Sequence, residues 1–517
     1  MVTKLEHLCQ PSIGNGNTPP RQDTPLLTAG EIFDSYFEYR ERASSVKKVE
    51  GQELEDIQLD VKNWLEQSGL LHLPDKEEER YLYYTTYSRE KVDRKFAGLL
   101  YYLRTSYPDK VSEDELRATE LFIASSFSMY FENVDNEGKE VAEDADGSFA
   151  FVVPSRMGRK HPEYGEESET VIPAIRYIPN EMRSQMLVGL PPFVIDEYEK
   201  NGNGKKGYLI FAPVTEDFAQ DLSPSDAFRA VEENVNATID FAHRQFGIRM
   251  IGLGAILPAY TKYGQTIRNK AVVTTTGHGG TIELINKTVS FLSKNYLTPE
   301  TIGVLGLGSI GASIAHIIAD YFPDITLNIY DSNPAKMNRT VEEYRDASRF
   351  QLCSSDSKLI QESDIVVSAI AGTMVDLEQR GVKAFDKPKI IIDDSQPGSV
   401  VPAQIEERGG KVIWVVGNDT QGNVATRRGY DYGTLFNPRT DIFGCEAEVA
   451  CISKYWEELR SRGMPEQAIH RIIAKVAIKG PVKPRNVRVI RALFKKYGIE
   501  VADPQVFGKP VQLEQNK

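Results

Sequence analysis

The segment Thr301–Asp331, TIGVLGLGSIGASIAHIIADYFPDITLNIYD, constrains the fold of this chain more than any other. An apolar run, Ile302–Leu305, leads into Gly306-Leu-Gly308-Ser309-Ile310-Gly311. A helical pattern follows, and a second apolar run, Ile325–Ile329, ends near Asp331, twenty residues past the third glycine. Each part answers a backbone requirement. Gly306 permits a tight turn out of the strand, Gly308 lets a pyrophosphate approach the main chain, and Gly311 lets helix and strand pack closely. The helix N-terminus offers unpaired N–H groups and the positive end of its dipole to phosphates. Because the glycines lie between a strand and a helix and carry an acid at the right distance, they predict a dinucleotide site rather than a glycine-rich turn of some other α/β unit.

The chain has 517 residues, 41% hydrophobic and 26% charged, which suggests roughly three domains with ordinary cores. No run of about 18 apolar residues exists, so no transmembrane helix is expected. The start, MVTKLEHLCQPSIGNGNTPPRQ, lacks the apolar centre of a signal peptide. Four cysteines (Cys9, Cys353, Cys445, Cys451) in so long a chain do not make a disulfide framework. The cytoplasm is therefore the expected compartment, with reduced thiols available for chemistry. No metal site is expected. A net charge of −13 argues against nucleic-acid binding. The charge is uneven: Glu132–Asp146 has seven acids and one lysine, whereas Lys479–Lys496 has seven basic residues and no acid.

The pattern divides the chain into a polar, disordered tail (1–24), a mixed N-terminal accessory region (25–200), an α/β substrate domain (201–296), a Rossmann domain with a doubly wound parallel sheet (297–435) and C-terminal helices (436–517). In the accessory region, Asp93–Arg104 and Ser112–Tyr130 have helical periodicity, Ser112–Glu115 is a capping box, and Phe149–Val153 and Glu169–Tyr177 read as strands. The turn-rich stretch Glu197–Gly207 marks the boundary. Beyond it, strands are expected at Tyr208–Pro213, Arg249–Leu257, Lys270–Thr275, Asp364–Ala369, Lys389–Asp393 and Lys411–Val416. Helices are expected at Ser223–Phe246, Thr281–Asn295, Cys445–Arg462, Pro465–Ala477 and Pro484–Tyr497.

Several residues carry possible chemistry. A carboxylate at Asp331 accepts from ribose hydroxyls and repels a 2′-phosphate, favouring NADH over NADPH, although Lys336 and Arg339 nearby suit a phosphate. Ala369 and Ile370 end a later strand and line either the cofactor cleft or a close strand–helix contact. Cys445 would lie in the first helical turn, capped by Asp441 or Thr440, where the dipole stabilises a thiolate. It also starts a stripe with Val449, Ile452, Trp456 and Leu459, so a core cysteine is the competing reading. His278, in Gly277-His278-Gly279-Gly280, is placed to donate a proton to an oxyanion or to hold substrate; a polar loop residue or cofactor contact is the alternative. His316, inside the first Rossmann helix, reads as structural. Arg488, Arg491 and Lys495 form a basic stripe, either a solvated face or a dock for an acidic partner.

Together, Gly252-Leu-Gly254-Ala-Ile, Thr275-Thr-Gly277-His278, the GLGSIG loop, Asp393-Asp-Ser-Gln-Pro397 and Phe443-Gly-Cys445-Glu-Ala-Glu448 resemble the long-chain acyl-(acyl carrier protein) reductases, from about Asp226 to the C-terminal helix. That family has a Phe-x-Cys-x-Ala-Glu motif whose cysteine carries the acyl group, a position held here by Cys445. The resemblance implies an NAD(P)H-dependent reduction of an acyl thioester, on acyl carrier protein or coenzyme A, to an aldehyde through a Cys445 acyl-enzyme. His278 and the Gly277–Gly280 amides are the candidate oxyanion donors. The chain departs from the family in its N-terminal region of about 190 residues, in Asp331-Ser-Asn where the family has an Arg-containing turn and prefers NADPH, and in His278 where the family has Asn. Two other readings stand beside this one. One is a non-covalent two-domain dehydrogenase of the shikimate or amino-acid type. The other is a non-catalytic NAD(P)-binding sensor or scaffold.

Overall fold

The computed structural model describes residues 28–134, 147–155, 171–199, 206–215, 218–219, 221–370, 375–395, 398–422, 426–427 and 435–514. The expected disordered tail with Cys9, most of the acidic stretch Glu132–Asp146, the middle of Glu197–Gly207, Ala371-Gly372 and Gln396-Pro397 lie outside the described residues. Among the described residues, no helix is long and apolar enough to cross a membrane.

Among the described residues five helices come first: α1 (Ala29–Ser45), α2 (Gln52–Ser68), α3 (Glu77–Thr85), α4 (Arg89–Ser106) and α5 (Glu113–Val134). The Ser112–Glu115 box opens α5, with the Asp114 amide donating to Ser112 Oγ and the Ser112 amide to a Glu115 carboxylate oxygen, each at 3.2 Å. Strand β1 (Gly147–Pro154) follows. The described part of the expected strand Glu169–Tyr177 is instead a 3₁₀ turn, Pro173–Tyr177. Pro173 stands at its start, with a fixed φ and no N–H to give to a ladder. Next come α6 (Asn180–Leu187), β2 (Phe193–Glu199), β3 (Lys206–Ala212), α7 (Pro224–Phe246), β4 (Met250–Leu253), α8 (Leu257–Tyr260), β5 (Val273–Thr275) and α9 (His278–Asn295). The strand expected over Arg249–Leu257 ends at Leu253, because Ala255 has φ 50° and Pro258 opens a helical turn.

The second half runs β6 (Thr301–Leu305), α10 (Ser309–Tyr321), β7 (Thr326–Tyr330), α11 (Pro334–Glu342), β8 (Phe350–Leu352), α12 (Asp356–Glu362), β9 (Ile365–Ser368), β10 (Lys389–Asp393), α13 (Pro402–Glu406) and β11 (Gly410–Trp414). After it come β12 (Gly417–Asp419), β13 (Thr426–Arg427), β14 (Asp441–Ile442), α14 (Gly444–Ser461), α15 (Glu466–Val476), α16 (Pro484–Tyr497) and β15 (Ile499–Val501). Strands β6 to β11 form one parallel sheet in the order β11-β10-β9-β6-β7-β8. This is the doubly wound Rossmann order. It reverses between β6 and β9, where a crevice opens above the carboxyl ends of the strands.

The other large sheet has the order β13-β2-β3-β1-β4-β5, with β3, β1, β4 and β5 parallel, β2 antiparallel to β3, and β13 antiparallel to β2 at the edge. It crosses the boundary expected at 200/201. The turn-rich stretch joins β2 to β3, paired neighbours, and β1 lies between β3 and β4. The accessory region and the substrate domain therefore share one sheet, and β13 extends it from residues assigned to the Rossmann domain. The chain then returns: α14 lies on β4 and β1, so close that a Cβ at Gly252 would sit 2.8 Å from Val449 Cβ. Helix α5 closes the N-terminal part through Phe122, whose ring meets Phe193 at 4.4 Å between centroids.

Candidate active site

The glycine loop leaves β6 at the reversal point. Gly306 has φ 86°, and a Cβ there would lie 2.6 Å from Ile370 Cγ2 and 2.9 Å from the Ala369 carbonyl oxygen. A Cβ at Gly311 would lie 1.8 Å from the Gly306 carbonyl oxygen, so α10 starts where only glycine fits. Gly308 is different. It is exposed, with nothing within 4 Å of the position of a Cβ. The open space in front of Gly308, Ser309 and Ile310 is where a pyrophosphate would meet the α10 N-terminus. Ala369 and Ile370 close on Gly306, and both are partly exposed.

Asp331 directly follows β7, and its carboxylate is engaged on both oxygens. Oδ2 accepts from the Leu307 amide at 2.8 Å and lies 3.3 Å from Lys336 Nζ, and Oδ1 accepts from the Asn333 amide at 2.8 Å. Burial raises its pKa, but the Asn333 and Leu307 amides and the Lys336 ammonium outweigh that and hold the carboxyl below the usual range. Asp331 thus shapes the glycine loop by holding the Leu307 amide. From Gly308 and Ser309 a cleft of about 440 Å³ runs between α10 and α11 past Lys336 and Arg339 to Tyr263 and Pro481. His316 also lines it, but its Nε2 is 2.7 Å from the Thr340 carbonyl oxygen, the structural role expected of it.

Cys445 stands in the first turn of α14, partly exposed at the open end of a stripe whose other members, Val449, Ile452, Trp456 and Leu459, are buried. The two readings of Cys445 therefore apply to different parts of one helix: a core face, and a thiol at its N-terminal edge. The expected caps do other work. Asp441 accepts from the Asn437 amide at 3.0 Å and from Gln505 Nε2 at 2.7 Å, and Thr440 Oγ1 accepts from Asn418 Nδ2 at 3.0 Å. Both lie before the N-cap, Phe443, whose amide donates to Glu446 Oε2 at 3.3 Å. Burial pushes the Cys353 thiol up to about 11 and raises that of Cys451, as in unreactive cysteines.

Helices α9 and α14 meet at their N-termini through glycines. A Cβ at Gly277 would lie 2.3 Å from Cys445 Cβ, and one at Gly280 would lie 1.9 Å from the Gly444 carbonyl oxygen. His278 follows Gly277 directly. Its Nδ1 is 3.4 Å from Ser309 Oγ, and its ring meets Tyr263 at 5.7 Å between centroids. Burial pushes its pKa down to about 4, so the imidazole is neutral near pH 7. Cys445, His278 and the glycine loop therefore lie in sequence across the join of the two sheets.

Two expectations are corrected here. The Gly280 amide donates to Glu448 Oε2 at 2.7 Å, and the Gly277 and Gly279 amides bear on the same carboxylate. These three amides face a side chain of the protein, because Glu448, one turn beyond Cys445, crosses the start of α9. Arg491 is also not part of an exposed basic stripe. It makes a double ion pair with buried Glu283 of α9 (Nη2–Oε2 2.6 Å, Nε–Oε1 2.8 Å) and lies over the Tyr321 ring, whereas Arg488 and Lys495 are exposed. Sequence reasoning left Glu448 unassigned. The available signal was its position in the Cys-x-x-Glu spacing opposite a glycine run. Asp393, quoted above only within a motif, holds the β10 end of the crevice, accepting from the Ser399 amide at 2.7 Å. Among the described residues no His, Cys, Asp and Glu cluster suits a metal ion.

No family model matches the chain, and no curated protein matches it. Solved structures do. The L-tryptophan dehydrogenase of Nostoc punctiforme is 10% identical, over 67% of this chain and 89% of that one, at a TM-score of 0.27. The shikimate dehydrogenase of Aquifex aeolicus is 12% identical, over 53% and 88%, at 0.26. CmnK is 16% identical over 23% of this chain, and the match spans 36% of CmnK, at 0.17. At such scores these likenesses carry nothing about activity, and the fold class rests on the strand order itself.

Proposed function

We propose that this protein reduces an acyl thioester to an aldehyde, with a nicotinamide dinucleotide as reductant and Cys445 as the acyl carrier. One observation supports this most: Cys445, at a helix N-terminus, packs against Gly277, and the adjoining His278 reaches Ser309 of the glycine loop. Nucleophile, neutral imidazole and dinucleotide loop are then neighbours. The Cys445 thiolate attacks the thioester carbonyl carbon, forming a C–S bond. Collapse of the tetrahedral adduct expels the carrier thiolate, which takes a proton, and leaves an acyl-enzyme. When bound, the dinucleotide supplies a hydride to that acyl carbon. The resulting hemithioacetal oxyanion re-forms a carbonyl, the C–S bond breaks, and the aldehyde leaves with Cys445 restored. With the Ser309 hydroxyl donating to Nδ1, His278 carries its proton on Nε2 and offers it as a hydrogen bond to the oxyanion. Three of the loop amides are directed to Glu448, so this role falls to His278 more heavily than the sequence suggests.

Asp331 supports NADH over NADPH, with Lys336 and Arg339 acting in the other direction. An acyl carrier protein is the proposed donor, docking at exposed Arg488 and Lys495. Reversing those two charges should raise KM for carrier-bound substrate and leave KM for the coenzyme A thioester in place. Oxidation of NADH and NADPH is to be followed with a panel of acyl thioesters. Cys445→Ala should lower turnover by about a thousandfold or more. Full turnover in that variant would instead support the non-covalent dehydrogenase, for which the neutral imidazole beside the glycine loop is also suited.

A further inference from the structure

Glu448 is fully buried on α14, one turn beyond Cys445, and the reaction above does not use it. Its Oε2 accepts from the Gly280 amide at 2.7 Å, its Oε1 accepts from Thr275 Oγ1, and the Gly277 and Gly279 amides bear on it as well. Thr275 ends β5 and also accepts from the Ile478 amide at 3.0 Å. One carboxylate thus ties the end of β5 and the first turn of α9 to α14, one turn beyond Cys445. The glycine contacts of Gly277 with Cys445 and of Gly280 with Gly444 leave this crossing no room to slip.

We infer that Glu448 is a positioning residue for the thioester chemistry: as the anion that closes the α9 N-terminus, it fixes His278 beside Cys445 and sets a negative charge one turn from the thiol. This rests on the reading of Cys445 as the nucleophile. Two opposed effects then act on the thiol. The start of α14 favours the thiolate, while the Glu448 charge disfavours it, and the α9 dipole is already occupied by Glu448. Burial pushes the Glu448 carboxyl up to about 7, with Thr275 and the glycine amides acting against that. The groups packed around it are the Gly277, Gly279 and Gly280 amides at the start of α9, Cys451 on α14, Thr275 on β5, and apolar Ile478 and Ile490. Glu446, its near neighbour on α14, turns away to accept from Tyr198 at 2.6 Å.

The test is the rate of Cys445 alkylation by iodoacetamide as a function of pH, read by intact mass on the full-length chain with Cys445→Ala as the site control. Thermal unfolding is measured on the same samples. Glu448→Gln removes the charge. Its alkylation midpoint should fall by about one pH unit, a gain of about tenfold on the acidic side of the midpoint. Glu448→Asp should restore the wild-type profile. Thr275→Val, which keeps the charge but removes one donor, should shift the midpoint the same way by a smaller amount, and it serves if Glu448→Gln does not fold. A reactive Cys445 whose midpoint stays in place in these variants overturns the role of Glu448 alone. A wild-type Cys445 that alkylates no faster than glutathione at any pH overturns the nucleophile reading and this role with it.

Discussion

Gly308 and Gly311 separate the needs of a ligand from those of the fold. A Cβ at Gly308 meets no protein atom within 4 Å, and its φ of −71° suits any residue. Gly308→Ala should therefore unfold within about 2 °C of the wild type yet bind NADH at least about tenfold more weakly in a fluorescence titration. Gly311→Ala puts a methyl 1.8 Å from a backbone oxygen and should cost about 1–3 kcal/mol of stability as well. His278 makes a prediction with a sign. Its pKa falls from 6.5 to about 4 on folding, so between those values the unfolded chain binds more protons. Its contribution to stability is lost as pH falls through that window. His278→Asn cannot titrate and should flatten the slope of unfolding free energy between pH 6.5 and 4 in urea titrations. The glycines and Asp331 were legible in the sequence because each answers a local backbone need. The partner of Glu448 was not, because it depends on which helix crosses α14.

Element boundaries were legible wherever a cap or periodicity defines them locally. Helix α16 spans Pro484–Tyr497, as its pattern indicates, and α7 begins after its Ser223 cap. Its exposed face was less legible, since the periodicity of α16 does not contain Glu283 of α9. That carboxylate is 1% exposed, so Arg491→Ala leaves a buried charge unpaired and should cost about 3 kcal/mol in chemical denaturation. Arg488→Ala, on the solvent side, should change stability by less than about 0.5 kcal/mol. Charge reversal at Arg491 would thus measure folding rather than docking. The 3₁₀ turn at Pro173 and the early end of β4 show the same limit from the other side: apolar content suggested strands, and a proline or a positive φ decided otherwise.

For the whole molecule, the Rossmann order could be anticipated because its strands follow one another as short apolar runs between helices. The other sheet could not, because its strands come from four separate stretches of chain and its α14 layer from a fifth. A chain beginning at residue 201 lacks β1, which pairs with both β3 and β4, and should show no cooperative unfolding transition, whereas residues 28–514 should keep one. This return of the chain is also what brings Cys445 to His278, some 170 residues earlier. The central claim, an acyl-enzyme on that cysteine, is most directly tested by intact-mass spectrometry after incubation with acyl-coenzyme A and acyl carrier protein thioesters in the absence of reduced cofactor. The account predicts an acyl increment on the wild type, absent from Cys445→Ala and discharged by NADH or NADPH with release of aldehyde. An increment that persists in Cys445→Ala, or wild-type turnover of a thioester with no adduct at any time, would contradict it.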